Sequence, residues 1–374
     1  MECGIVGPPQ SGKSTIFSLL TGNPITEASH GRREILRGIA KLPDARIEAL
    51  AKVSQSRKLV PASVEYVDVP GVAVTPEKRD PYPPAYLTEL RGVAMLMLVI
   101  RDFAAPEISH PRGRIDPADD FADASLEFLF NDLDTIEKRL KRITKQHDPT
   151  LKKETELLER CRTALQTEKH LRDLDFTLEE EKLLRGFAFL SLKPLLVVLN
   201  VGEEGAQEAE ARLEKLKNVA GSGDFSRREA GRMNSPLPRN VGWVACAAGI
   251  EGEIARLDED ERGLFMEELG FKESALERIV RATFDLLGLI TFFTTGEKDT
   301  TAWAIRRGSN AAAAAAAIHD DIARGFIRAE IYGWKELIAA GGSHAKLKEE
   351  GKLRLEGKEY IVQDGDVINV RFNI

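Results

Sequence analysis

The feature that most constrains the fold is eight residues long. Gly7-Pro8-Pro9-Gln10-Ser11-Gly12-Lys13-Ser14 fits the pattern G-x-x-x-x-G-K-[ST]. It follows a short apolar run, Gly4-Ile5-Val6, and precedes a helical pattern in Ile16, Phe17, Leu19 and Leu20. Strand, glycine-rich loop and helix in that order is the setting in which this pattern cradles phosphates. The loop and the helix start, from Gly7 through Ser14 and on to Thr15, surround the anion, with backbone N–H groups from all of them except Pro8 and Pro9. Lys13 is placed to reach the β- and γ-phosphates, and the Ser14 hydroxyl to ligate Mg²⁺. The competing reading is a glycine-rich turn with an incidental lysine. Such a string arises by chance in about one chain in a hundred of this length, and the flanking pattern makes chance a poorer account.

The rest of the first half fits the same reading. Val64–Val69, Ala94–Ile100, Leu195–Leu199 and Val241–Ala245 read as buried strands, which predicts an α/β fold with a mainly parallel sheet. Asp68-Val69-Pro70-Gly71 sits at the end of one of them. D-x-x-G alone says little, since both residues are common in turns. Behind a phosphate loop it places Asp68 to hold Mg²⁺ through water and the Gly71 N–H to meet a γ-phosphate. Asn200-Val201-Gly202-Glu203 follows another strand, where a GTPase usually carries N-K-x-D. The aspartate of that motif accepts from guanine N1–H and N2–H₂. Val201 and Glu203 in place of lysine and aspartate weaken this fork, and adenine lacks both donors. The nucleotide is ATP or GTP, with a lean to ATP.

Composition excludes several classes. The chain has 53 Lys plus Arg against 60 Asp plus Glu, a net charge of -7, which argues against a free-standing basic nucleic-acid binder; no DNA is expected. No apolar run approaches the ~20 residues of a membrane span. Cys3, Cys161 and Cys246 are far apart and show neither metal-ligand spacing nor a disulfide framework, so a cytoplasmic setting is expected.

Three textures divide the 374 residues. Between the second and third strands lies a charged helical stretch. Leu126, Leu129, Leu133, Ile136, Leu140 and Ile143 repeat at spacings of 3 and 4, and Leu157, Cys161, Ala164 and Leu171 rebuild a weaker seam beyond Asp148-Pro149. Two antiparallel helices joined at a short turn are predicted. Lys138, Arg139, Lys141, Arg142 and Lys145 near the turn are either a solvated face or a contact to RNA. Ile254–Leu287 reads as amphipathic helix. After it come strand-like runs at Ile290–Thr294, Ala302–Ile305, Gly325–Ile331, Lys352–Leu355 and Asp366–Phe372, with a helix over Asn310–Arg324. That C-terminal part has 12 basic and 12 acidic residues, which gives no electrostatic case for RNA there. The expected domains are 1–117 with 194–288 for the nucleotide, 118–193 for the helical insert, and 289–374 for a small α+β domain.

With these residues placed, the chain resembles the YchF subfamily of Obg-like P-loop nucleoside triphosphatases of the TRAFAC class. The phosphate loop, D-V-P-G, N-x-x-E and the helical hairpin carry the resemblance. So do Gly325–Glu330, Gly351–Lys358 and Tyr360–Asp366, which look like the family's TGS-type β-grasp domain. The resemblance implies a P-loop domain, a coiled-coil hairpin and a TGS domain. It also implies an ATPase with Mg²⁺ as cofactor and association with ribosomes or ribosomal RNA. Cys246-Ala247-Ala248-Gly249 falls where the family has its last nucleotide-contact loop, so backbone of Ala247 and Ala248 is expected to line the base. The chain departs from the family at Gln10, where an asparagine is usual, and between Ile25 and Gly38, where the switch threonine has only Thr26 or Ser29 as stand-ins.

Val72 stands where Ras-type enzymes carry the glutamine that orients the attacking water. Slow intrinsic hydrolysis, raised by a partner, follows. The leading expectation is therefore a Mg²⁺-dependent nucleoside triphosphatase acting as a ribosome-associated switch. Its competitors are a GTP-binding sensor with little hydrolysis and a coiled-coil adaptor with a degenerate phosphate loop.

Overall fold

The computed structural model describes residues 1–24, 34–70, 83–105, 113–146, 148–221 and 240–373. In chain order these form β1 (Glu2–Val6), α1 (Lys13–Thr21), β2 (Leu36–Lys41), α2 (Ala45–Ser54), β3 (Leu59–Val60), β4 (Ser63–Asp68), α3 (Pro84–Gly92) and β5 (Met95–Asp102). There follow α4 (Pro117–Gln146), α5 (Lys152–Gln166), α6 (Leu178–Leu184), β6 (Leu195–Val201), α7 (Ala209–Gly221), β7 (Val241–Cys246), α8 (Ala248–Ile254), α9 (Glu259–Glu268) and α10 (Ala275–Leu286). The chain ends with β8 (Leu289–Thr295), β9 (Thr300–Arg306), α11 (Ala311–Ile318), α12 (Asp320–Arg324), β10 (Phe326–Gly333), α13 (Trp334–Ala339), α14 (His344–Glu349), β11 (Arg354–Glu356) and β12 (Asp366–Phe372).

Two compact units result: Met1–Ile39 with Glu65–Leu286, and Ala40–Val64 with Leu287–Ile374. The first holds the sheet ordered β2-β4-β1-β5-β6-β7, in which β4, β1, β5, β6 and β7 are parallel. The apolar run predicted at Ala94–Ile100 is β5, fully buried from Met95 to Ile100 because helices cover both faces. Parallel strands put their C-terminal ends, and hence Val6, Asp68, Asn200 and Cys246, along one edge. That edge is where α/β sheets bind ligands.

The helical insert forms as the seam predicts. Leu129, Ile136, Leu140 and Ile143 of α4 pack against Leu157, Leu158, Cys161, Ala164 and Leu165 of α5. Asp148 caps the turn by accepting from the Thr150 N–H. Arg139 and Glu154 bridge the helices with paired bonds of 2.7 and 2.9 Å. The second arm ends at Gln166, and Leu171 lies in a separate 3-10 turn. The base of α4 is not an independent domain. Phe121, Ala124 and Phe128 belong to the core of the parallel sheet, while Leu129 onward build the hairpin's own core.

The second unit carries the sheet β11-β10-β12-β8-β9-β3. Residues 40–64 cluster with this unit rather than with the rest of 1–117. Leu59 and Val60 pair with Thr300 and Thr301, and the Arg57 N–H donates to Glu297 O. Two residues of strand are too short to show a period in the sequence. Two helix expectations are also subdivided. Asn310–Arg324 breaks at His319, which takes an extended backbone and caps α12 through the Asp321 N–H. Ile254–Leu287 breaks into α9 and α10, with Gly270 at φ +74° ending α9.

One buried carboxylate pins the insert. Asp132 accepts from the N–H groups of Leu190 (2.9 Å) and Ser191 (2.7 Å), and Arg172 donates to Ser191 O. Burial lifts the Asp132 carboxyl to about 6, against the pull of the Ser191 and Leu190 hydrogen bonds. Its folded-state value lies above the unfolded one, so the folded chain keeps this proton where the unfolded chain has lost it. The group's contribution to stability therefore falls as pH rises through that range. Urea unfolding of wild type and Asp132→Asn should show the wild type losing about 3 kcal/mol relative to the variant between about pH 4 and pH 7. A difference independent of pH would show that Asp132 titrates normally.

Candidate nucleotide-binding site

The loop after β1 takes its shape from residues that tolerate unusual backbone. Gly7 has φ +143°, and a Cβ there would stand 2.3 Å from Val99 O. Gly12 has φ +92°, and its Cβ would meet Asn200 Nδ2 at 2.1 Å. Between them Gln10 also adopts a positive φ of 62°. The motif's glycines are thus required by close approach as well as by backbone angle. α1 begins at Lys13 with neither a side-chain cap nor an acidic residue in its first turn, which includes Ser14 and Thr15. Its leading N–H groups are left to an anion.

Lys13 is only 6% exposed and folds back over the loop, donating to Gly7 O at 3.0 Å and Pro8 O at 2.6 Å. Burial pulls its ammonium down to about 8, partly offset by the charge of Asp68. Phosphate oxygens would replace those two carbonyls with stronger, charged acceptors. The Ser14 hydroxyl donates to Asp68 Oδ2 at 2.9 Å, which joins the two expected metal-binding residues from opposite sides of the loop. Burial pushes the Asp68 carboxyl up, while the Ser14 hydrogen bond and Lys13 hold it down. Its other oxygen, Oδ1, is buried and has no hydrogen-bond partner among the described residues, and the same holds for Ser11 Oγ. A hydroxyl and a carboxylate with an uncommitted oxygen, all hard donors, fit a hydrated Mg²⁺.

Asn200 lies at the end of β6 and ties the site together. Its Nδ2 donates to Ser11 O at 3.1 Å, and its Oδ1 accepts the Ala248 N–H at 3.1 Å. One amide therefore links the phosphate loop to the loop after β7. The side chain of Val201, which stands in place of the GTPase lysine, is buried in the sheet's core. Glu203 stands exposed at the start of a 3-10 turn. The N–H groups of Ala247 and Ala248 are both engaged, the first by Glu251 Oε1 at 3.0 Å and the second by Asn200. Glu251 was not legible as a site residue. It is 3% exposed and also accepts from the Ala275 N–H and from Arg278. Its sequence signal is an acidic residue in the first turn of a helix after Cys246-Ala247-Ala248, and its partners Ala275 and Arg278 lie over twenty residues away.

The chain is 38% identical over 379 residues to the ribosome-binding ATPase YchF of Bacillus subtilis, covering all of both chains. It is 37% identical over 378 residues to the ribosome-binding ATPase YchF of Escherichia coli O157:H7, covering all of this chain and 99% of that one. The chain belongs to the YchF family. Residues 289–373 match the family model YchF-GTPase_C, described as a protein of unknown function (DUF933). The solved structure of the Schizosaccharomyces pombe YchF GTPase superposes with a TM-score of 0.82 at 24% identity, covering 99% of this chain and 97% of that one, which supports the fold.

Gly71, Val72, Thr26 and Ser29 lie outside the described residues. Of the basic residues near the hairpin turn, Arg139 is committed to Glu154 and Lys138 bonds Asp134, while Lys141 and Arg142 are exposed. Since Asn200 satisfies a buried carbonyl and a buried N–H, Asn200→Ala should cost about 2–3 kcal/mol in urea unfolding. It should also weaken Mg²⁺–ATP binding at least about tenfold by calorimetry, since two unpaired groups then border the loop. Wild-type affinity in that variant would show that the link does not shape the site.

Proposed function

We propose that this YchF-family protein is a Mg²⁺-dependent nucleoside triphosphatase with a lean to ATP, acting in association with the ribosome in the cytoplasm. The observation that carries the catalytic part is the convergence of an uncapped α1 N-terminus, buried Lys13 and the Ser14–Asp68 pair on one loop. The ribosome enters from the relatives, which bear the name ribosome-binding ATPase.

In this reading the loop N–H groups and Lys13 bind and orient the β- and γ-phosphates. Ser14 and Asp68 would hold Mg²⁺, which when bound draws charge from the phosphate oxygens. Water attacks the γ-phosphorus, the bond to the β-phosphate oxygen breaks, and nucleoside diphosphate and phosphate leave. Lys13 stabilises the charge on the bridging side, and the Gly71 N–H is assigned to the γ-phosphate. Positioning and charge neutralisation supply most of the rate. Val72 can neither donate nor accept a hydrogen bond from its side chain, so the water is held elsewhere and intrinsic turnover is slow. A ribosomal partner completes the arrangement, and the exposed Lys141 and Arg142 near the hairpin turn are offered to its phosphates.

Two measurements test this. Mg²⁺–ATP should raise the thermal midpoint of wild type, because a ligand that binds only the folded state stabilises it. Lys13→Ala should abolish that shift. Phosphate release should then rise on adding ribosomes. An unchanged shift in Lys13→Ala would move the site elsewhere, and nucleotide binding without release on ribosomes would favour the non-hydrolysing sensor.

A further inference from the structure

The loop between β7 and α8 carries an unassigned carboxylate. Glu251 is buried at 3% exposure, and its two oxygens are shared by four bonds. Oε1 accepts the Ala247 N–H at 3.0 Å and Oε2 accepts the Ala275 N–H at 2.6 Å. Arg278 Nη2 donates to both, at 2.9 and 3.1 Å, while its guanidinium lies 5.0 Å over the Phe271 ring. The carboxylate is thus held from behind by α10 and presented to the backbone of Ala247.

We infer that Glu251 sets purine selectivity, as a positioning residue that removes a backbone donor from the base-side loop. The inference rests on the nucleotide-binding reading above, which places the base between the loops after β6 and β7. Purines differ at position 6: guanine presents the acceptor O6, and adenine the donor N6–H₂. A loop with free backbone N–H groups suits guanine. Here the two N–H groups nearest the end of β7 are occupied, that of Ala247 by Glu251 and that of Ala248 by Asn200. Both are fixed within buried hydrogen bonds: releasing the Ala248 N–H leaves Asn200 Oδ1 unpaired, and releasing the Ala247 N–H takes from Glu251 Oε1 one of its two donors. At position 6 adenine is itself a donor and asks for neither N–H. Selectivity then has two parts: Glu203, one methylene longer than aspartate, shifts the acceptors for guanine N1–H and N2–H₂ and weakens that fork, and Glu251 withholds a donor from O6. Asn200 is also needed for the phosphate loop, so Glu251 is the member of the pair that can be altered without detaching Ser11.

The test is calorimetric titration of the full-length protein with nonhydrolysable ATP and GTP analogues in Mg²⁺. The ratio of the two dissociation constants is read in wild type, Glu251→Ala, Glu251→Asp and Glu251→Gln. Glu251→Ala frees the Ala247 N–H, and the preference for ATP should fall by roughly three- to tenfold, the worth of one hydrogen bond. Glu251→Asp keeps the charge beside Arg278 but is one methylene too short to span Ala247 and Ala275. It should fall likewise, and it decides the matter if the alanine variant does not fold. Glu251→Gln retains an acceptor oxygen and should restore the ratio to within about twofold of wild type. Equal weakening of both nucleotides at a constant ratio in Glu251→Asp, or a glutamine variant as altered as the alanine one, would overturn the inference. Wild type that binds neither analogue would instead overturn the nucleotide-binding reading, leaving the two failures distinct.

Discussion

A single side-chain amide organises the candidate nucleotide site. Asn200 reaches from the end of β6 to a carbonyl of the phosphate loop on one side and to the first N–H of α8 on the other. Gly12 must be glycine partly because that amide occupies the space a Cβ would need. The phosphate loop, often described by its own sequence alone, is here a structure completed by a residue 189 positions away. Without that contact the loop would keep its glycines and lysine but lose a support that fixes where they stand.

The same economy of buried polar groups recurs through the first unit. Asp132 satisfies two N–H groups at the foot of the hairpin, and Glu251 satisfies two more behind the base-side loop. Each carboxylate accepts backbone donors that no helix or strand ladder would otherwise satisfy. Both sit where an insertion or loop meets the parallel sheet. Apolar packing brings these segments together, since Phe121, Ala124 and Phe128 sink the root of α4 into the sheet's core. Apolar packing is tolerant of small slips, and the directional bonds fix the register.

Much of this was legible in the sequence. The phosphate loop, the four buried strands and the hairpin seam are local patterns with a physical period, and they appear where the residues place them. Ser14 and Asp68, 54 residues apart, are each singled out by a local motif, and their oxygens lie 2.9 Å apart. What escaped was non-local. Residues 40–64 joined the second unit through a two-residue strand, and nothing in Leu59-Val60 announces Thr300-Thr301 as its partner. Glu251 reads as an ordinary acidic helix start until Ala275 and Arg278 are seen behind it. Val201 takes the place of the GTPase lysine in the sequence, and the buried parallel strand carries its side chain into the core. The helix breaks at His319 and Gly270 were hidden by continuous helical propensity on either side.

The most direct test of the central claim is a crystal structure of the full-length protein with Mg²⁺ and a nonhydrolysable ATP analogue. The account predicts that Lys13 Nζ leaves the carbonyls of Gly7 and Pro8 for phosphate oxygens. Ser14 should ligate the metal with Asp68 beside it, and Asn200 should keep both its bonds, to Ser11 O and to the Ala248 N–H. Nucleotide bound at the loop with Asn200 detached from either partner would contradict the claim that this amide organises the site.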